Sequence, residues 1–221
     1  MTYHAERPRR LITAGQVARI TQQPRRNSMA NILKYGDKVH LQNGWDNWNG
    51  GFLDTNSSDP NATGSKHGVS TAPTPTRGSG TGTWEITSAS GKPVGAEVIS
   101  GDAVYLRNGW DNWNGGFLDT NSSDPNATGS KYGVSTSPGK DRADGSGRWR
   151  VFAETSSPVD SKVREGDRVH LLNGWDDWNG GFLDTNSSDP NATGSKYGVS
   201  TTAYIDRGTG TGTWRFSKAQ A

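Results

Sequence analysis

Short runs of alternating apolar and polar residues recur along this chain, each between glycine-rich turns. Val39-His40-Leu41 follows a Gly-Asp turn and has the alternation of a half-buried strand. Trp84 and Ile86 are two residues apart, so they would lie on one face of another strand. Further runs of this kind occupy residues 51–54 and 68–71. No helical periodicity accompanies them, and the pattern predicts a unit of four short strands.

The unit occurs three times with a period of 65 residues. The stretch 43–71, NGWDNWNGGFLDTNSSDPNATGSKHGVST, returns at 108–136 and 173–201. His67 becomes tyrosine in both later copies, and Asn47 becomes aspartate in the third. Repetition on this scale predicts units that cannot bury their apolar faces alone and therefore pack around a common axis.

The repeated stretch is polar and rich in Gly, Asn, Asp and Ser, whereas its flanks have diverged. The segments that follow it read APTPTRGSG, SPGKDRADG and TAYIDRGTG. A purely structural repeat would keep its core and let the loops vary, since loops tolerate change best. The uniform loop therefore favours a ligand site, and recent triplication without a shared ligand is the alternative.

Three units of four strands predict an all-β fold, a β-trefoil or a β-prism, because propellers have at least four blades. We expect a β-trefoil over residues 31–221, with repeats at about 33–97, 98–162 and 163–217. The strand order, V-x-L, F-L-D, a short Val strand and then W-x-I or W-x-F, resembles the unit of ricin-type lectins, actinohivin and fascin. The Gln-x-Trp of the ricin type is absent, because Gly82-Thr83-Trp84 and its copies occupy that position.

Composition limits the class of protein. Apolar residues make up 29% of the 221, yet nine tryptophans argue against a disordered chain. There is no cysteine, which excludes disulfides and cysteine-based metal sites. No apolar run is long enough to span a membrane, and no secretory signal pattern appears at the start. We therefore expect a cytoplasmic protein or one released by a non-classical route.

Charge is unevenly distributed. Residues 1–30 carry six arginines and one acid, whereas the remainder carries 18 Lys and Arg against 21 Asp and Glu. A nucleic-acid-binding domain would carry a basic patch on its folded body, so this class is not expected. Residues 1–30 are interpreted as a basic, disordered tail or leader.

The tryptophans fall into two groups. Trp84, Trp149 and Trp214 lie at alternating strand positions and are expected in the core. The other six lie in the polar loop, where a large aromatic ring must be covered by a neighbouring loop or by a ligand. An indole offers an apolar face and one N–H donor, which suits a pyranose ring. We expect one tryptophan of each pair to bind ligand and the other to cap the barrel. The pairs are Trp45/Trp48, Trp110/Trp113 and Trp175/Trp178.

Carboxylate and amide groups around these rings are candidates for binding sugar hydroxyls. Asp54 follows Phe52-Leu53 and resembles the Asp of the Leu-Asp motif in actinohivin-type repeats, which implies mannose binding. By the same resemblance His67, Tyr132 and Tyr197 would supply an aromatic group of the following loop. The candidate polar residues are Asp46, Asp111, Asp176, Asp54, Asp119, Asp184, Asn56, Asn121 and Asn186.

The sequence offers two other chemistries, metal binding and catalysis. Asp54, Asn56, Asp59 and Asn61 form an oxygen-rich run that could bind Ca²⁺, but the spacing is not that of an EF-hand loop. Asx-rich turns are also common without metal, so no metal or cofactor is expected. No histidine recurs in all three units, and nucleophile and phosphate-loop motifs are absent. We expect no enzymatic activity and no catalytic residues.

These observations predict a multivalent lectin with up to three equivalent glycan sites and no nucleic-acid partner. The alternatives are a fascin-like protein-interaction module and a membrane-targeting domain whose loop tryptophans insert at the lipid interface. The sequence does not specify the sugar or the oligomeric state.

Overall fold

The structure, a computed structural model, describes most of the chain after the basic tail. The tail predicted for residues 1–30 lies outside the described residues, as do Asp59 and Asn61 with their copies in the later repeats. The described residues are 31–58, 60, 62–123, 125, 127–154, 159–188, 190 and 192–220.

Each repeat folds into four strands and one helical turn, so the twelve predicted strands are confirmed. The first repeat contains β1 (Lys38–Asn43), α1 (Trp45–Trp48), β2 (Phe52–Thr55), β3 (Val69–Ala72) and β4 (Trp84–Ser88). The second contains β5 (Ala103–Asn108), α2 (Trp110–Trp113), β6 (Phe117–Asn121), β7 (Ser130–Ser137) and β8 (Trp149–Ala153). The third contains β9 (Arg168–Asn173), α3 (Trp175–Trp178), β10 (Phe182–Asn186), β11 (Gly198–Thr202) and β12 (Trp214–Lys218).

The first and last strands of the three repeats form a closed antiparallel barrel. Within the described residues, β1 pairs with β4, β4 with β5, β5 with β8, β8 with β9, β9 with β12, and β12 with β1. Closure removes the exposed edges that such short strands would otherwise present. The middle strands form three hairpins, β2–β3, β6–β7 and β10–β11, and β11 also pairs with β3 and β7.

A ring of backbone hydrogen bonds joins the three repeats where each one begins. The N–H of Leu33 donates to the carbonyl of Val163 at 2.9 Å, Val163 donates to Val98 at 3.0 Å, and Val98 donates to Leu33 at 2.9 Å. All three side chains are buried. One such bond from each repeat to the next is what a pseudo-threefold axis requires.

The core tryptophans repeat with the same symmetry. Trp84, Trp149 and Trp214 are fully buried, which confirms the predicted core role. Each indole N–H donates to a backbone carbonyl in its own repeat: Leu53, Leu118 and Leu183, at 2.9, 3.0 and 2.9 Å. A buried indole therefore fills the barrel and has its polar atom satisfied. The fold is an all-β, β-trefoil arrangement of three units, as the sequence predicted.

Candidate functional site

Three equivalent pockets lie where one repeat meets the next. Their volumes are about 260, 240 and 220 Å³. Each combines the first loop tryptophan of one repeat with an aromatic or histidine side chain of the preceding repeat. The pairs are Trp45 with Tyr197, Trp110 with His67, and Trp175 with Tyr132.

The tryptophan of each pocket is held by a buried asparagine at the end of the preceding strand. The Oδ1 of Asn43, at the end of β1, accepts a hydrogen bond from the backbone N–H of Trp45 at 3.1 Å. It accepts another from the Thr185 hydroxyl at 3.0 Å. Its amide donates to the Thr211 carbonyl at 2.8 Å. Asn43 thereby fixes the turn of the first repeat against the third. A Cβ at Gly50 would lie 2.2 Å from the Asn43 Oδ1, which explains the Gly-Gly after the turn.

The turn itself has an unusual backbone. Asp46, Asn47 and Trp48 all have positive φ, at 49°, 55° and 69°, and the other two turns repeat these values closely. Asp and Asn tolerate the left-handed region because their short polar side chains bond locally, whereas tryptophan does not. Single residues in this region cost of order 1–3 kcal/mol each. The same turn follows the first loop tryptophan in all three repeats, and the Trp45 and Trp110 side chains are 37% and 39% exposed.

The aromatic partner is positioned by the triangular packing of the hairpins. The Tyr197 carbonyl accepts a hydrogen bond from the Thr71 N–H at 2.8 Å, and the Tyr197 N–H donates to the Thr71 hydroxyl at 3.2 Å. The neighbouring Lys196 ammonium lies 5.5 Å from the tyrosine ring centroid and donates to the Asn49 carbonyl. These contacts tie the third repeat to the first on both sides of the pocket.

An arginine contributes to each pocket wall and was not identified from the sequence. Arg207, about one-quarter exposed, donates from Nε and Nη2 to the Asp184 Oδ1 at 3.2 and 2.8 Å. It also donates to the carbonyls of Thr185 and Thr128, at 2.9 and 2.7 Å. Arg77 and Arg142 repeat this arrangement with Asp54 and Asp119. The arginine thus connects its own repeat with the preceding one.

The aspartates of these pairs lie beneath the pocket walls rather than on the surface. Asp54, Asp119 and Asp184 are fully buried. Burial raises the pKa of each carboxyl group, and the paired arginine opposes only part of this effect. In the second repeat the Ser146 hydroxyl donates to the other oxygen of Asp119 at 2.7 Å. The geometry therefore gives these carboxylates the role of orienting an arginine.

The second tryptophan of each loop is covered by a cation. The Arg215 guanidinium lies 4.4 Å from the ring centroid of Trp48, and the Arg150 guanidinium lies 3.8 Å from the ring centroid of Trp178. The Lys38 ammonium lies 5.0 Å from the ring centroid of Trp113. Cation–π contacts of this kind hold the rings against the barrel wall. The structure thus gives the two tryptophans of each loop different surroundings, with the first lining a pocket.

The remaining predicted residues have local partners. Asp46, Asp111 and Asp176 are exposed and accept a hydrogen bond from the asparagine three residues later, at 3.1 Å in each case. Asn56, Asn121 and Asn186 line the pockets but are nearly buried, and their amides donate to Ser70, Ser135 and Ser200 at 2.8 Å.

Of the residues predicted from sequence, the structure therefore brings nine into the pockets. These are Trp45, Trp110, Trp175, His67, Tyr132, Tyr197, Asn56, Asn121 and Asn186. The calcium alternative depends partly on Asp59 and Asn61, which lie outside the described residues. Within the described ranges, no group of three or more His, Asp or Glu side chains has the arrangement of a metal site.

The Trp110 pocket carries His67 where the other two pockets carry tyrosine, and this difference predicts a pH dependence of stability. Burial lowers the pKa of His67 below its usual 6.5, and the nearby Lys66 adds to this, whereas Asp111 opposes it. A depressed histidine pKa gives stability that is present above pH 6.5 and is lost as the pH falls.

We expect the substitution His67→Tyr to remove this loss of stability at low pH. The melting temperature of the variant, minus that of the wild type, should be larger at pH 5 than at pH 8 by calorimetry; an equal difference would contradict this.

Solved structures to which this chain is similar include the following three. An SDF2-like protein from Arabidopsis thaliana matches with a TM-score of 0.61 and 15% identity, covering 85% of this chain and 95% of that one. A Caenorhabditis elegans protein described as of unknown function gives 0.64 and 16%, covering 86% and 98%. The Saccharomyces cerevisiae protein O-mannosyltransferase Pmt1-Pmt2 complex, bound to the sugar donor, gives 0.62 and 13%, covering 88% and 27%.

These similarities support the β-trefoil fold and do not extend to the ricin-type lectins. This chain spans about a quarter of the matched mannosyltransferase chain. No family model matches the sequence, and no curated protein matches it. In the part of the chain that the structure describes, no helix is long and apolar enough to cross a membrane.

Proposed function

We propose that this protein is a trivalent glycan-binding β-trefoil, with one site in each pocket between repeats. The observation that carries the proposal is the threefold repetition of a small pocket lined by the first loop tryptophan of one repeat and a second ring from the preceding repeat. Concave sites lined by aromatic side chains and a few polar groups are typical of small-ligand binding. In all three repeats the strained turn directly after Trp45, Trp110 or Trp175 leaves that ring at the pocket.

Pocket size supports a ligand of one small ring. Volumes of 220–260 Å³ fall below the range of about 300–1,000 Å³ typical of drug-sized ligands. An indole face such as that of Trp45 offers the C–H face of a pyranose an apolar platform. Tyr197, which the third repeat contributes to the same pocket, adds a hydroxyl that can donate or accept a hydrogen bond.

The charges of the pocket favour a neutral sugar. Arg207 is the cation of the wall, and its charge is balanced by the buried Asp184. Four of its five N–H donors take partners among the described residues. The fifth, on Nη1, has no partner in the part of the chain that the structure describes and would donate to a ligand hydroxyl. The arginine of each pocket wall thus offers one N–H donor with little net charge.

The first test is a glycan array, run with and without EDTA. We expect binding to neutral glycans that EDTA does not change, because the proposed contacts involve no metal. Absence of binding to every glycan would overturn the proposal and favour a protein-interaction or membrane-targeting module.

Stoichiometry then separates the two tryptophans of a loop. Trp45→Ala should lower the number of bound monosaccharides from three to two, measured by native mass spectrometry, with little change in melting temperature. Trp48→Ala is the matched control, because its ring lies under Arg215. This variant should still bind three monosaccharides but melt at a lower temperature. Loss of a site in Trp48→Ala, with all three retained in Trp45→Ala, would contradict the assignment.

A further inference from the structure

A second, larger cavity lies beside Trp45, outside the pocket that this residue shares with Tyr197. Its volume is about 650 Å³. Trp45 belongs to the lining of both cavities and therefore stands between them. We call the larger one the Trp45 cleft. Its lining includes Asp46, Asn47, Arg168, Asp206 and Thr213.

The walls of the cleft carry polar groups of both charges. Asp46 and Asn47 belong to the left-handed turn and are exposed. Arg168 is about half exposed and pairs with Glu154 at 3.0 Å. The Thr213 hydroxyl is buried without a hydrogen-bond partner among the described residues. A buried hydroxyl without a partner costs free energy, and the small Thr213 side chain leaves the space of the cleft beside it unfilled.

The second repeat differs from the third at the position of Thr213. By the 65-residue period, Arg148 takes the place of Thr213 beside Trp175. Its side chain pairs with Asp141 at 2.9 Å and with Asp144 at 3.4 Å. Asp141 corresponds to Asp206, and Asp144 to Thr209. The Trp175 copy therefore holds a paired arginine side chain where the Trp45 copy has a small residue.

We infer that the Trp45 site binds a neutral oligosaccharide across two subsites. The pocket takes one sugar ring, Trp45 forms the ridge, and the cleft takes the next one or two rings. The Trp175 site takes a single ring, because Arg148 occupies its cleft. This inference rests on the proposed function, and it adds that the Trp45 and Trp175 sites differ in the glycan length they select.

The experiment isolates the Trp45 site in the full chain by combining Trp110→Ala with Trp175→Ala. Probes are one- to three-ring series of manno-, gluco-, galacto- and N-acetylglucosamine oligosaccharides, measured by calorimetry. We expect the trisaccharide of the bound series to bind about tenfold more tightly than the monosaccharide, which corresponds to about 1.4 kcal/mol. Adding Thr213→Arg and Thr209→Asp should remove this gain while the monosaccharide affinity stays within about twofold.

The reciprocal variant guards against a folding defect from placing arginine at the buried Thr213. With Trp45→Ala and Trp110→Ala isolating the Trp175 site, Arg148→Thr and Asp144→Thr should create the length preference there. Equal affinity for one and three rings at the isolated Trp45 site would overturn the inference and leave the proposed function standing. A length preference unchanged by both pairs of substitutions would also overturn it. No binding of any probe by the wild type would instead count against the proposed function.

Discussion

Replacing Trp84 with alanine should lower the free energy of unfolding by about 3–5 kcal/mol, the range for loss of a large buried aromatic side chain. The Trp84 side chain is fully buried, and its N–H is bonded to the Leu53 carbonyl. Truncation removes the apolar contacts and leaves a cavity and an unpaired carbonyl. Urea denaturation followed by far-ultraviolet circular dichroism measures this loss.

Trp45→Ala is the matched control for this prediction, since it removes the same side chain from the same repeat. The Trp45 side chain is 37% exposed and lines a pocket. Its loss should cost about 1 kcal/mol or less, as expected for a surface substitution. Equal destabilisation by the two variants would mean that the loop tryptophans belong to the architecture, and the proposed sites would lose their main support.

The fold was largely predictable because its signals are local and repeated. Alternation around Val39 and Leu41 indicates a strand in any single copy, and the 65-residue period supplies the number of units. Closure follows because three short-stranded units have no other way to bury Trp84 and its copies. The three single helical turns were not predicted, since a run such as Trp45–Trp48 has no helical periodicity and three of its four residues have positive φ.

The partners within each pocket could not be predicted from the repeat. A period of 65 residues is the same whether Trp45 meets the aromatic of its own repeat or that of another. The structure pairs Trp45 with Tyr197, at the junction of the third and first repeats. That choice depends on how the hairpins pack around the axis, through contacts such as Thr71 with Tyr197, and these are long-range.

The arginines were missed although a signal was present. The segments after the repeated loop appeared divergent, yet each contains one arginine at the same position: Arg77, Arg142 and Arg207. Asp54 was predicted as a hydroxyl acceptor because it follows a Leu-Asp motif. Strand alternation alone predicts one buried and one exposed face. In β2 both faces are covered, because the adjacent residues Leu53 and Asp54 are both buried. The buried acid and the apparently variable segment form one ion pair.

Substituting these aspartates would therefore test folding more than binding. Removing one member of a buried ion pair is destabilising by about 3–5 kcal/mol, because the remaining charge loses its partner. Arg77 would keep its charge without the Asp54 carboxylate. The exposed tryptophans are better positions at which to test the number of binding sites.

Removing two of the three pockets should abolish most of the binding to dense glycan surfaces. A variant with Trp110→Ala and Trp175→Ala retains the Trp45 pocket, so its affinity for a free monosaccharide per remaining site should not change. On a surface, the second and third contacts of the wild type form at high effective concentration, and this gain is roughly 10²–10⁴ in apparent affinity. The variant should lose that gain and no longer agglutinate glycan-bearing particles.

The pseudo-threefold arrangement makes this prediction specific, because three sites on one rigid barrel have fixed separations. Surface plasmon resonance on chips of high and low glycan density measures the effect, with Trp113→Ala and Trp178→Ala together as the control that keeps all three pockets. The wild type and this control should bind the dense chip far more tightly than the sparse one, whereas the one-pocket variant should not distinguish them. Undiminished avidity in the one-pocket variant would show that the pockets do not act together, and saturation of the wild type by a single equivalent of monosaccharide would contradict trivalency itself.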